Sequence, residues 1–129
     1  MLIDGDEVSN FIVDRTIKKV WKNAEVTVCL DKDSAMKELL ALKQNQVILP
    51  DIIFIETGTP SMNGWDFLEE YSRLIIDKED ISRIVVLSWS LFRRDIDHAL
   101  SYTAVKEYFT KPLKMEDLDL LFQNPMMGT

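Results

Sequence analysis

The chain has 129 residues, 47% hydrophobic and 29% charged, which is enough for one domain with a buried core. Its net charge of −7 argues against non-specific nucleic-acid binding, which needs a basic surface to displace counterions. No apolar run approaches the roughly 18 residues that span a bilayer, and "MLIDGDE" turns acidic at residue 4, unlike a signal peptide.

In chain order, Leu2-Ile3 is a short apolar run ending at Asp4. It is short for a first strand, so a few residues are expected to precede Met1. Val8, Phe11, Ile12, Ile17, Val20 and Trp21 then recur at helical spacing. "EVTVCL" (Glu25–Leu30) alternates as a strand and holds the one cysteine, Cys29, expected as an inert core thiol in a reducing cytoplasm. Asp33 or Ser34 is expected to cap a helix burying Met36, Leu39 and Leu40.

The third strand is "DIIFIE", ending in Glu56. Asn63 is expected to cap the next helix, with Phe67, Leu68, Tyr71, Leu74 and Ile75 on one face. "RIVVLS" (Arg83–Ser88) is apolar nearly throughout, as in a strand covered on both sides. A helix around Leu91–Leu100 is followed by the strand "KEYFT" and by a helix over Met115–Gln123 that buries Leu118, Leu121 and Phe122. Five alternations of strand and helix favour an α/β fold, a parallel sheet with helices on both faces. One domain over 1–123 with a tail at 124–129 is expected.

In such sheets ligands sit outside the carboxyl ends of the strands. Those ends carry Asp4, Gly5 and Asp6, then Glu56, Ser88 and Lys111-Pro112. Acids that hold a divalent cation, with a hydroxyl and an ammonium for phosphoryl oxygens, make a phosphoryl-site inventory.

On "LIDGDE", "PDIIFIETGTPSMNGWDFLEEY", "VVLS" and "VKEYFTKPL", the chain resembles the receiver domain of two-component response regulators over nearly its whole length. The resemblance implies a flavodoxin-like, doubly wound five-stranded parallel sheet in the order 2-1-3-4-5 with five helices. It puts Glu56, four residues before Pro60, at the phosphoacceptor position, where the family has aspartate. The family's acidic pair falls on Asp4 and Gly5, so its second acid is absent; Asp6, one place later, is assigned to the acidic pocket if the glycine bends it inward. Ser88 and Lys111 take the phosphoryl-contact positions, and Tyr108 that of the switch aromatic. The Lys111–Pro112 bond is expected to be cis. A metal would use Asp4, Glu56 and the Gly58 backbone, with Mg2+ binding weak or absent.

In the family an aspartate attacks phosphorus while Mg2+, lysine and hydroxyl hold the other oxygens. Glutamate adds a methylene, about 1.5 Å of bond length, and a misplacement of about 1 Å costs roughly 100-fold. Loss of an acid at position 5 removes a metal ligand. The expectation is therefore no enzyme and no catalytic residue, but a stand-alone, atypical receiver in which Glu56 reaches Lys111 and Ser88. Its partner would be a signalling protein (a histidine kinase, phosphotransfer protein or output partner), bound through the fourth helix, fifth strand and fifth helix, with no nucleic acid and no membrane. The alternative is a phosphotransfer receiver with a displaced acceptor, Asp6 or Thr57. A nucleotide-binding flavodoxin-like domain is disfavoured, since "DGDEVSN" is no glycine-rich phosphate loop. Trp89 is expected to pack on the next helix rather than cap the crevice, and His98 to be a solvated helix residue.

Overall fold

The computed structural model describes residues 1–58, 64–74 and 82–123, side chains at 122 and 123 aside. The chain runs β1 (Leu2–Ile3), α1 (Glu7–Val20), β2 (Val28–Cys29), α2 (Lys32–Gln44), β3 (Ile52–Ile55), α3 (Gly64–Arg73), β4 (Arg83–Ser88), α4 (Arg93–Leu100), β5 (Val105–Thr110) and α5 (Met115–Gln123). The strands form one sheet in the order β2-β1-β3-β4-β5, and every pairing is parallel. This is the flavodoxin-like arrangement with five helices among the described residues. No helix among them is long and apolar enough to cross a membrane.

Successive strand residues point to opposite faces, and that alternation divides the core. Ile3, Ile53, Ile55, Ile84 and Val86 pack with Met36, Leu39, Phe67, Leu68 and Tyr71 of α2 and α3. Leu2, Phe54, Val85, Leu87 and Phe109 pack with Val13, Ile17, Leu118 and Leu121 of α1 and α5. Both faces of β3 and β4 are therefore covered, which accounts for their nearly unbroken apolar runs.

Three local expectations are corrected. Only Val28–Cys29 of the Glu25–Leu30 segment is strand, because β2 is an edge whose neighbour β1 offers Leu2 and Ile3 alone. The cap of α2 is Asp31, not Asp33 or Ser34: its Oδ1 accepts from the Ser34 amide at 2.7 Å, and these bonds hold its carboxyl below the usual range. Asp31→Ala is expected to speed amide exchange at Ser34, while Asp33→Ala leaves that amide unchanged. In α1 the buried residues are Ser9, Asn10, Val13 and Ile17, whereas Val8, Phe11 and Ile12 are exposed. The helix is set at that angle by its first turn, where Asp6 caps it and Asn10 Nδ2 donates to the Asp4 carbonyl at 2.8 Å.

Cys29 is buried, and burial pushes its thiol above the ordinary value, in keeping with an inert core residue. His98 is exposed as expected, yet it is not simply solvated. Its ring stacks on Trp65 at 4.1 Å and meets Tyr102 at 5.6 Å, joining α4 to α3. Pro60, the Asn63 cap, Ile75, the Phe122 side chain and the tail at 124–129 lie outside the described residues.

Candidate functional site

The parallel ladders bring the strand ends to one level. The Asp4 amide donates to the Cys29 carbonyl and the Glu56 amide to the Ile3 carbonyl, both at 3.1 Å. Asp4 and Glu56 therefore leave neighbouring strands side by side. On the other flank the Lys111 amide donates to the Ser88 carbonyl at 2.8 Å, which carries the lysine in past the end of β4. The Lys111–Pro112 bond is cis.

Lys111 Nζ lies 2.6 Å from Asp4 Oδ2 and 2.9 Å from Glu56 Oε2, and all three side chains are 3% exposed or less. The contact to Asp4 is a hydrogen bond; that to Glu56 is an ion pair off the hydrogen-bonding direction, which leaves Oε2 without an aligned donor. Glu56 Oε1 accepts a short bond from the Gly58 amide, and Asp4 Oδ1 accepts from the Asp6 amide at 2.9 Å. Two carboxylates and one ammonium give this buried cluster a net charge of −1.

Burial pulls the Lys111 ammonium down, but its contacts with Asp4 and Glu56 outweigh that, and its pKa is held above the ordinary 10.5. A group whose folded pKa is raised contributes stability that is complete below the unfolded value and is lost as pH rises through the folded one. The Lys111 contribution is thus expected to stay constant through neutral pH and to fall above about 10.5. Tyr102, pushed up to about 12 by burial and by its bond to Glu69, loses stability in the same alkaline range. Cys29, its thiol pushed up by burial, loses stability in that range as well, so unfolding of a Tyr102→Phe, Cys29→Ala variant against pH is what separates out the lysine. A flat alkaline profile there would show that the pair does not hold Lys111 charged.

Ser88, fully buried, accepts at Oγ from the Ser90 amide at 3.1 Å. Ser90 is a junction. Its Oγ donates to Asp95 in α4 and accepts from the Phe92 amide at 3.2 Å, while its carbonyl accepts from Tyr108 Oη at 2.8 Å. Tyr108 is thereby tied to the loop that leaves Ser88. Gly58 stands beside both groups: a Cβ on it would lie 3.0 Å from Glu56 Oε1 and from Ser88 Oγ.

Asp6, expected in the acidic pocket, is instead exposed, and its Oδ1 accepts from the Val8 and Ser9 amides at 3.0 and 3.1 Å. It is committed to capping α1. Trp89, expected to pack on a helix, is 62% exposed with its ring 5.9 Å from Lys111 Nζ. With Asp6, Val8, Ile12, Pro112 and Leu113 it lines a pocket of about 110 Å³ over the lysine, so Asp6 stands at the rim of the crevice while its Oδ1 caps α1. Trp89, Ser90 and Gly64 were not among the expected site residues, and only the Trp89 position beside Ser88 hinted at one of them. A larger groove of about 530 Å³ lies at the opposite, amino ends of the strands around Met1, Trp21 and Asp51, away from the converging charges.

No family model matches the sequence, and no curated protein matches it. Solved structures do. A two-component response regulator from Cytophaga hutchinsonii is 28% identical, with a TM-score of 0.85 over 95% of this chain and 91% of that one. By structural match, the chain has the fold of response regulator receiver domains and is similar to them over nearly its whole length. A two-component response regulator from Legionella pneumophila (24% identity, TM-score 0.78, 95% and 92% covered) and a response regulator receiver protein from Dyadobacter fermentans (20%, 0.79, 95% and 92%) share the fold.

Receiver domains typically bind Mg2+, and the donor set of this chain does not fit that ion. Among the described residues no three His, Cys, Asp or Glu side chains converge. Mg2+ demands a near-octahedral set of oxygens at about 2.0–2.1 Å. The two carboxylates present both face the Lys111 ammonium, and Gly5 offers no side-chain ligand.

Proposed function

We propose that this receiver domain is a protein-interaction module of two-component signalling, held in one state by the contact of Glu56 with Lys111 rather than switched by phosphorylation at Glu56. The observation that carries this reading is Lys111 Nζ placed 2.9 Å from Glu56 and 2.6 Å from Asp4. The glutamate already engages the cation that would meet a phosphoryl oxygen. It is an incomplete stand-in, with one negative charge against about −1.5 to −2 and three acceptor oxygens on a phosphate.

The partner is a signalling protein (a histidine kinase, phosphotransfer protein or output partner) that docks on α4, β5 and α5. Exposed Leu91, Phe92 and Leu100 at the ends of α4, with Met115 and Leu120 of α5, support that face.

The test is incubation with a small-molecule phosphodonor and Mg2+, followed by intact mass and peptide mapping. The expected result is no phosphoryl adduct on the native domain and an adduct at position 56 of a Gly5→Asp, Glu56→Asp double variant, which restores both substituted positions. An adduct on native Glu56 sinks the reading. One on Asp6 or Thr57 replaces it with a receiver that uses a displaced acceptor.

A further inference from the structure

The donor set that does not fit Mg2+ raises the question of which counter-charge the two buried acids share. We infer that the Lys111 ammonium is the resident cation of this crevice in place of a divalent ion, and that the domain holds its site geometry independently of metal. The inference concerns the same crevice as the functional reading but does not rest on it. A domain that takes no phosphoryl group can bind metal, and one that binds no metal can still be modified elsewhere.

Two carboxylates buried to within 3% of full enclosure need a counter-charge, because an uncompensated buried ion is strongly disfavoured. Lys111 Nζ supplies it from 2.6 and 2.9 Å. The outer oxygens are engaged too, Asp4 Oδ1 by the Asp6 amide and Glu56 Oε1 by the Gly58 amide. That leaves Glu56 Oε2 as the carboxylate oxygen of the pair without an aligned donor. A divalent ion placed there would sit against the ammonium, repelled at a distance where opposite charges already attract.

The neighbouring positions offer no further acid. Gly5 has no side chain to give, and the Asp6 carboxylate is drawn to the amides of Val8 and Ser9. Above Lys111 the Trp89 ring, 5.9 Å from Nζ, adds its negative face to the same cation. The lysine is thus held from both sides, by carboxylates below and an indole above.

Two consequences separate this arrangement from a weak metal site that happens to be open. Removing the ammonium leaves two acids that need a cation, so Lys111→Met turns a metal-indifferent domain into one that Mg2+ stabilises. Adding an acid while keeping the lysine, as in Gly5→Asp, supplies the missing ligand and raises metal affinity by at least about tenfold.

The experiment titrates Mn2+ into isotope-labelled full-length domain and follows paramagnetic broadening of the Glu56, Gly58 and Ser88 amides, with thermal unfolding in millimolar MgCl2 alongside. The native domain is expected to show no site-selective broadening at Mn2+ concentrations that broaden those amides in Gly5→Asp, and an unfolding midpoint unmoved by MgCl2. The midpoint of Lys111→Met is expected to climb with MgCl2. Broadening of the native amides at the same Mn2+ concentration as in Gly5→Asp overturns the inference, as does a native midpoint that rises with MgCl2. If Lys111→Met does not fold, the comparison of native domain with Gly5→Asp decides alone.

Discussion

Replacing Lys111 with methionine is expected to lower the unfolding free energy by about 3–5 kcal/mol in urea at neutral pH. The size follows from what remains rather than from what is lost. Asp4 and Glu56 stay buried beside each other, and the ammonium that paired with both is gone. The uncharged side chain fills much of the lysine's volume, so the loss reports charge rather than a cavity. A second substitution, Glu56→Gln in the Lys111→Met background, removes one of the stranded acids and is expected to recover part of the loss, a coupling that a double-mutant cycle reads directly. Lys18 serves as the contrast. Its pair with Asp14 at 3.2 Å is half exposed and within one helix, so Lys18→Met should change stability by no more than about 0.5 kcal/mol. A Lys111→Met loss below about 1 kcal/mol would mean that the acids discharge or rehydrate at little cost, against the buried-pair account.

Gly64→Ala is the second large effect, at about 3 kcal/mol, the upper end for an added methyl group. Gly64 opens α3 directly against the end of β3. A Cβ there would overlap the Glu56 carbonyl oxygen and come within 2.8 Å of the Thr57 Cα. Backbone cannot rotate out of the way as a side chain can, so the helix must lift off the strand. Because that strand end carries Glu56, the substitution should also lengthen the Glu56–Lys111 contact, seen as changed amide shifts at Gly58 and Lys111. Gly5→Ala is the control: Gly5 is exposed on the rim, and its substitution should stay within about 0.5 kcal/mol. Equal effects at the two glycines would remove the argument from close approach.

Much of the fold was legible because the signals are local and strong. The apolar runs of β3 and β4 read as strands covered on both faces, and they are. The meeting of Glu56 with Lys111 was also legible, since both stand at strand ends whose level the parallel sheet sets. Where the reading failed, the deciding partner was distant or sat in a loop. The alternation of Glu25–Leu30 promised six residues of strand, but β1 provides partners for two. The apolar spacing of α1 pointed to Val8, Phe11 and Ile12, whereas Asp6 and Asn10 set the helix rotation through bonds to backbone. Asp6 could not be placed without knowing where α1 begins. Ser90 and Trp89 follow Ser88 in a loop whose path no periodicity encodes.

The junction at Ser90 has a bearing on how such a domain communicates. One short residue touches the crevice through its amide, α4 through its hydroxyl and β5 through its carbonyl. Coupling between two sites is reciprocal. A protein that grips α4, or draws Tyr108 outward, therefore pulls on Ser88 through the same three bonds. On the proposed reading of a module that is not switched by phosphorylation, information of this kind runs inward from the proposed docking face, and the crevice becomes the listener.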